Sequence, residues 1–369
     1  MVKKRVLQVV TTMDYGGVET LLMSIYRNID REKLQFDFLC HNTTECKFKD
    51  EILELGGRIF AIPGPNHGGP IKYQNNLYAF FRAHPEYSII HSNINIRNGV
   101  VNHQAKRAGY PHRISHCHVA GNRHSFFTRL YASYSKFLDH RSSTHRFACS
   151  VDAGKYLFGD SAAFTVVRNA IDVSRFSFSA VQRDRLRMEL NIPEDAFVLG
   201  HVGRFSEEKN HLFILDVFAE LLKGRSDAIL LLVGGGPTME AVREKAKLLS
   251  LSDQVIFAGQ HQDLGPYYST MDAMIFPSKF EGLGIVAVEA QCSGLPVLAS
   301  DAVPREAMVT DRMEFLSFTD PVSKWAERIE CSMIHCAENR EQYWQLVAES
   351  DYHIKKIASR LEEFYLSLE

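Results

Sequence analysis

The stretch Ala273-Met274-Ile275-Phe276-Pro277-Ser278-Lys279-Phe280-Glu281-Gly282-Leu283-Gly284-Ile285-Val286-Ala287-Val288-Glu289-Ala290 decides the fold. Its first residues form a short apolar run closed by proline, as in a parallel strand covered by helices on both faces. Its last residues open a helix. Between them, Gly282 and Gly284 let backbone amides come close to a ligand. The helix after them offers free N–H groups and a positive dipole end, suited to phosphate. Glu281 precedes the helix and Glu289 lies inside it, so the two carboxylates can accept hydrogen bonds from different sets of sugar hydroxyls. The plain alternative is a glycine-rich turn with one loop and one helical glutamate.

The same strand–loop–helix rhythm runs outward in both directions. Apolar runs near residues 5–10, 36–41, 58–63, 88–92, 113–118, 146–150 and 165–168 read as strands of a first half. Runs near 197–203, 228–234, 255–259, 273–277, 296–300 and 314–317 read as strands of a second. Two βαβα series predict an α/β protein with two doubly wound Rossmann-like domains facing a central cleft, and ligands at the carboxyl ends of the strands. Polar residues between 172 and 195 suggest the break. The expected domains are 1–175 and 176–350, with 351–369 as a C-terminal amphipathic helix packing back on the first domain: Ile354, Ile357, Leu361, Phe364 and Leu368 recur at spacings of three and four.

A chain of 369 residues with 45% apolar content can bury two cores. The seven cysteines are scattered, odd in number and without a Cys-x-x-Cys, which fits reduced thiols and a cytoplasmic setting. The basic start Lys3-Lys4-Arg5 leads into an apolar run too short for a signal peptide. Residues 1–175 hold 23 Lys and Arg against 14 Asp and Glu, a net of +9, which leaves −11 for the rest of a chain whose total is −2. The two halves are therefore expected to meet different partners.

Two further loops carry chemistry. Gly203-Arg204-Phe205-Ser206-Glu207-Glu208-Lys209-Asn210 comes after an expected strand, and Arg204 and Lys209 can converge on a diphosphate, one as a planar fork and one as a point charge. Asp14-Tyr15-Gly16-Gly17-Val18-Glu19 comes after the first strand and opens a helix at Gly16-Gly17, which suggests close backbone approach to a phosphate or sugar. It lacks the Gly-x-Gly-x-x-Gly spacing of a dinucleotide site. Each can also be an ordinary solvated turn. The chain contains no Asp-x-Asp, the carboxylate pair that holds a metal-bound nucleotide sugar in other transferases.

The set Gly-Gly-Val-Glu (16–19), Asn-Ala-Ile-Asp (169–172), Gly-Arg-Phe-Ser-Glu-Glu-Lys-Asn (203–210), Val-Gly-Gly-Gly-Pro (233–237) and Phe-Glu-Gly-Leu-Gly with Glu-Ala (280–290) resembles glycosyltransferase family 4, most closely its bacterial capsular and exopolysaccharide branch. The resemblance spans about residues 5–310. It implies the GT-B fold and retaining transfer from a nucleotide-diphosphate sugar, by family weight a UDP-sugar, with no metal or other cofactor. It further implies that Arg204 and Lys209 hold the donor diphosphate. Glu281 would touch the transferring sugar, Gly282, Leu283 and Gly284 would offer amides, and Glu289 would bind ribose. Gly16 and Gly17 would line the cleft as donor contacts, and residues 254–259 would help enclose the base.

In this family a histidine ending the strand at 113–118 lies near the reacting sugar. His118 takes that place and His116 is the fallback. A metal held by this pair is disfavoured, since no carboxylate or cysteine partner is close in sequence. His91 ends another strand as a structural histidine or an acceptor contact. Residues 97–146 interleave Arg97, Lys106, Arg107, Arg113, Arg123, Arg129, Lys136, Arg141 and Arg146 with aromatic residues, and their one acid is Asp139. That segment fits a saccharide or lipid-linked saccharide acceptor, with Arg123, His91 and His116 as acceptor contacts and a peripheral contact at the inner membrane face. Its bland alternative is a helix with core aromatics and solvated bases. No nucleic-acid reader motif is present. Two competing readings stay open: a non-hydrolysing nucleotide-sugar epimerase, and an inactive nucleotide-sugar-binding subunit.

Overall fold

The computed structural model describes residues 3–14, 16–41, 46–119, 126–333 and 339–369. They form two compact units: Met1–Ala170 together with Ile354–Glu369, and Ile171–His353.

The first unit is built on seven parallel strands, β1 (Lys4–Val10), β2 (Leu34–Cys40), β3 (Ile59–Ala61), β4 (Ile89–Ser92), β5 (His112–Cys117), β6 (His145–Ala148) and β7 (Thr165–Val166), in the order β3-β2-β1-β4-β5-β6-β7. Strand β2 is buried along its whole length. Its one carboxylate, Asp37, is paired as a buried charge must be. Arg5 Nε donates to it at 2.6 Å, Tyr87 Oη at 2.6 Å and the Arg58 amide at 2.7 Å. Helices Gly17–Asn28 and Ile354–Ser367 share one core with this sheet: Ile354, Ile357, Leu361 and Tyr365 pack among Leu22, Tyr26, Phe36 and Phe38. Each such large apolar side chain contributes about 1.5–3 kcal/mol by burial, and the last helix is thereby fixed to the first unit.

The second unit holds six parallel strands, β8 (Val198–Val202), β9 (Ile229–Val233), β10 (Val255–Gly259), β11 (Ala273–Phe276), β12 (Val297–Ser300) and β13 (Met313–Leu316), in the order β10-β9-β8-β11-β12-β13. The chain runs outward from β8 to β9 and β10, then returns to place β11 on the other side of β8, with Ala273 opposite Leu199 and Met274 opposite Gly200. This reversal is the topological switch point, where open α/β sheets bind ligands.

The structural division falls at Ala170/Ile171, a few residues before the expected 175/176. Asp172 caps the short helix Val173–Phe176, and both Val173 and Phe176 are buried in the second unit's core, which makes this segment the start of the second unit. Residues 351–353 also belong to the second unit, where Ile171 bridges His353.

Gly99 marks a close helix crossing of the first unit. A Cβ there would lie 1.8 Å from the Ser135 carbonyl oxygen and 2.7 Å from the Asp139 amide nitrogen, both backbone atoms of helix Phe126–Ser142. Backbone cannot step aside as a side chain can, so Gly99→Ala should lower stability by about 3 kcal/mol, the upper end for overpacking. Chemical denaturation checks this; an unchanged midpoint would remove the crossing as a constraint.

Candidate active site

The loops that leave β8 and β11 meet. The Lys279 amide donates to the Glu208 carbonyl at 2.7 Å, joining the two loops through backbone. Lys209 then pairs with Glu281, two groups 72 residues apart in sequence and both mostly buried. Lys209 Nζ also lies 5.4 Å from the centre of the Phe276 ring. Asn210 comes next in the left-handed region (φ 60°), which asparagine tolerates, and caps helix His211–Gly224. On the other loop, Gly284 (φ 83°) caps helix Ile285–Cys292, so an electropositive helix end begins three residues after Glu281. Leu283 is buried beside it, and Gly282 is half-buried. Arg204 sits exposed on the β8 loop, near the Glu208 carboxylate.

Glu289 lies one helical stretch further on and is partly exposed. Tyr268 Oη donates to its Oε2 at 2.7 Å. Burial pushes its carboxyl up to about 7, partly opposed by the Tyr268 hydrogen bond and by the charge of Arg175. Neither Tyr268 nor Arg175 was among the sequence candidates. Both stand outside the glycine-rich motif, and helix Val173–Phe176, which packs against both Gly265–Thr270 and Ile285–Cys292, brings them in.

In the first unit the strand ends are arranged differently. Gly16 caps helix Gly17–Asn28, but Glu19 folds back over it, its Oε2 only 2.3 Å from where a Gly16 Cβ would lie. Burial, then the nearby Asp14 charge, raise the Glu19 carboxyl above its ordinary range. The helix end expected to offer amides to a phosphate is thus already faced by a carboxylate of its own. Gly17 stays exposed, with open space where a Cβ would be.

The three histidines form one buried group. His91 is shut away from solvent, with Nδ1 2.5 Å from Tyr365 Oη and Nε2 3.1 Å from His116 Nδ1. Both its nitrogens are used, which supports the structural one of the two readings of His91. His116 is equally buried, its Nδ1 bonded to His91 and its ring 4.0 Å from that of His118. His118 alone reaches the edge, 7% exposed, with Nε2 3.0 Å from Asn93 Oδ1 and its backbone amide 2.8 Å from Asn95 Oδ1. Burial lowers all three imidazoles, His118 to about 4 and His91 to about 3. Arg123, the remaining acceptor candidate, lies outside the described residues. The asparagines of the loop after β4 were missed. Asn93, Asn95 and Asn98 hold His118 twice and the His116 carbonyl once, and their dense spacing was the available signal.

Known proteins share these sequences and this fold. A family model described as Glycosyl transferases group 1 matches residues 182–344, and one described as Glycosyltransferase Family 4 matches residues 15–175. Over 374 residues the chain is 32% identical to the putative glycosyltransferase EpsF of Bacillus subtilis (strain 168), covering 98% of this chain and 96% of that one. It is 20% identical to a UDP-Gal:alpha-D-GlcNAc-diphosphoundecaprenol alpha-1,3-galactosyltransferase of Escherichia coli, over 81% of this chain and 80% of the other. Among solved structures, Anabaena Alr3699/HepE in complex with UDP superposes with a TM-score of 0.81 at 20% identity, covering 100% of both chains. The chain belongs to the family 4 glycosyltransferases. It has the GT-B fold and is a glycosyltransferase of the group 1 type.

The raised Glu289 carboxyl has a consequence for stability. Its unfolded-state counterpart ionises near 4.5, so above that pH the folded state carries a penalty that grows until about 7 and is then constant. Glu289→Gln should therefore raise the unfolding temperature more at pH 8 than at pH 5. Thermal scans at both values check it; an equal shift at the two pH values would mean the carboxyl is not raised.

Proposed function

We propose that the chain transfers a hexosyl group, with retention of configuration, from a UDP-sugar bound by Ile171–His353 to a saccharide or lipid-linked saccharide acceptor bound by the first unit, in capsular or exopolysaccharide synthesis. The observation that carries this reading is the meeting of Lys209 and Glu281 beside the Gly284 helix end at the β8/β11 switch point.

Departure of the nucleoside diphosphate leaves negative charge on its outer phosphate. Lys209, Arg204 and the first-turn amides of helix Ile285–Cys292 neutralise it as preorganised charges and dipoles, which takes the place of a metal ion. When the diphosphate takes Lys209 as its partner, Glu281 is released to accept hydrogen bonds from sugar hydroxyls. Glu289 accepts from ribose hydroxyls. The acceptor hydroxyl attacks on the face the diphosphate leaves, and the leaving phosphate oxygen takes its proton. On this reading His118 acts on the transferring sugar, and Gly16 and Gly17 are donor contacts. The donor assignment is supported by HepE, solved with UDP, and by the E. coli relative, whose name specifies UDP-Gal.

A lipid-linked acceptor is supported by helix Phe126–Ser142. Leu130, Tyr134 and Phe137 are exposed along one face at spacings of four and three, 56%, 44% and 53%. Arg141 lies over the Phe137 ring at 4.3 Å, and exposed Lys106 reaches the Arg141 carbonyl at 2.7 Å. Such an aromatic and basic face suits a peripheral contact with an anionic membrane surface. Among the described residues no helix is long and apolar enough to cross a membrane. The E. coli relative's name specifies a diphosphoundecaprenol acceptor.

A thermal-shift screen of nucleoside diphosphates and their sugars tests the donor. UDP-sugars should raise the unfolding temperature, since a ligand of the native state must. Lys209→Ala and Glu281→Ala should each lower UDP release from the sugar that binds by about 100-fold or more while unfolding near the wild-type temperature. Near-normal turnover in both variants rejects the site. Formation of an epimeric nucleotide sugar from donor alone would favour the epimerase reading instead.

A further inference from the structure

The asparagine loop after β4 determines which histidine nitrogens carry hydrogen. The side-chain nitrogen of Asn93 lies 3.2 Å from the His91 carbonyl oxygen and 3.0 Å from Gln8 Oε1. A backbone carbonyl only accepts, so the amide nitrogen and not the oxygen must face it. Asn93 Oδ1 is then the atom 3.0 Å from His118 Nε2, and Nε2 must be the donor. The neutral His118 ring therefore keeps its lone pair on Nδ1.

The same logic runs the other way along the group. Gln8 Oε1 accepts from Asn93, so Gln8 Nε2 faces Tyr365 Oη, at 3.4 Å. Tyr365 gives its own hydrogen to His91 Nδ1, and His91 Nε2 donates to His116 Nδ1. One backbone carbonyl thus orders three imidazoles as Nε2–H tautomers. At the far end, His118 faces the Asn169 side chain, a hydrogen-bonding neighbour that favours the charged ring, and Nδ1 is buried. With Nε2 as the donor, Nδ1 can only accept, and a hydroxyl supplies the hydrogen it takes where a phosphate oxygen does not.

We propose that Asn93 is a positioning residue for transfer: by accepting from His118 Nε2–H it holds the neutral ring in one tautomer, leaving Nδ1 as an acceptor for a sugar hydroxyl. This rests on the reading of His118 as the histidine beside the reacting sugar. Asn93 touches neither substrate; it acts through His118.

Ring-nitrogen NMR of the full chain labelled with [15N]histidine tests it directly, with the His118 signals assigned as those lost in His118→Gln. Wild-type His118 should be protonated at Nε2 alone, and Asn93→Ala should give a mixture of tautomers. Tyr365→Phe should disturb His91 yet leave His118 as Nε2–H, because the His91 carbonyl still orients Asn93. With UDP-glucose as the probe, Asn93→Ala should lower kcat for UDP release roughly tenfold with Kd changed by less than about twofold. It should cost nothing further in a His118→Ala background, as expected for a residue that works only through that ring. Nδ1–H in wild-type His118, or an equal Asn93→Ala loss in both backgrounds, overturns the proposal. Full turnover in His118→Ala would instead defeat the placing of His118 at the sugar, and the wild-type spectrum would still decide the tautomer. Should Asn93→Ala fail to fold, Asn93→Ser carries the same comparison.

Discussion

The pairing of β11 with β8 is the constraint on which the candidate donor site depends. β11 lies beside β8 with Ala273 opposite Leu199 and Met274 opposite Gly200, and the Asp272 amide donates to the Val198 carbonyl at 2.8 Å. That adjacency sets the 203–210 loop beside the 277–284 loop. The remaining contacts of the site are local: the Lys279–Glu208 backbone bond, the Lys209–Glu281 ion pair, and the helix end at Gly284. A mostly buried ion pair gives little net stability, because desolvation offsets attraction, but it costs much to break. It is therefore suited to a site in which an incoming anion exchanges for one of the partners.

The strands were legible because each is a short apolar run closed by turn residues. The motif loops were legible because the same runs fix where strands end. The strand order was not legible, since periodicity places a residue on a face but says nothing of which strand lies alongside. The adjacency of Lys209 and Glu281 was thus read from family resemblance rather than from pattern. Glu19 shows the opposite failure. A Gly-Gly turn before a helix reads as an anion site, yet the carboxylate three residues on takes that helix end first. His91 shows a third limit of sequence reading. A histidine at a strand end looks available in sequence, and only the final helix, bringing Tyr365 from 274 residues away, buries it.

That burial gives the first unit an unusual interior. Gln8, opposite His91 in the β1–β4 register, lies within the sheet and is fully buried. Polar groups in such a place cost several kcal/mol unless bonded, so the seam is stable only when nearly every donor meets an acceptor. Tyr365 closes it from the helix side, while Phe36 packs against the same ring at 5.8 Å. One tyrosine therefore joins the apolar anchoring of the last helix to the ordering of the histidines. This explains why residues 354–369 belong with a unit from which nearly two hundred residues of chain separate them.

Net charge would assign the partners the wrong way round. The half carrying −11 is the one with the candidate diphosphate site, and the half carrying +9 holds His91, His116 and His118, all neutral near pH 7. Exposed charges more than about 8 Å apart are largely screened at physiological salt, so a site feels the few groups aimed at it and not the total. In the second unit those groups are a lysine, an exposed arginine and a helix end. In the first they are uncharged imidazoles and carboxamides, with one carboxyl raised by burial. Cations and amides are matched to a leaving group whose charge grows. Neutral acceptors are matched to hydroxyls, whose hydrogens need orientation rather than neutralisation. On the proposed reading, the division between the units is one of chemistry, set by local packing against the sign of each half.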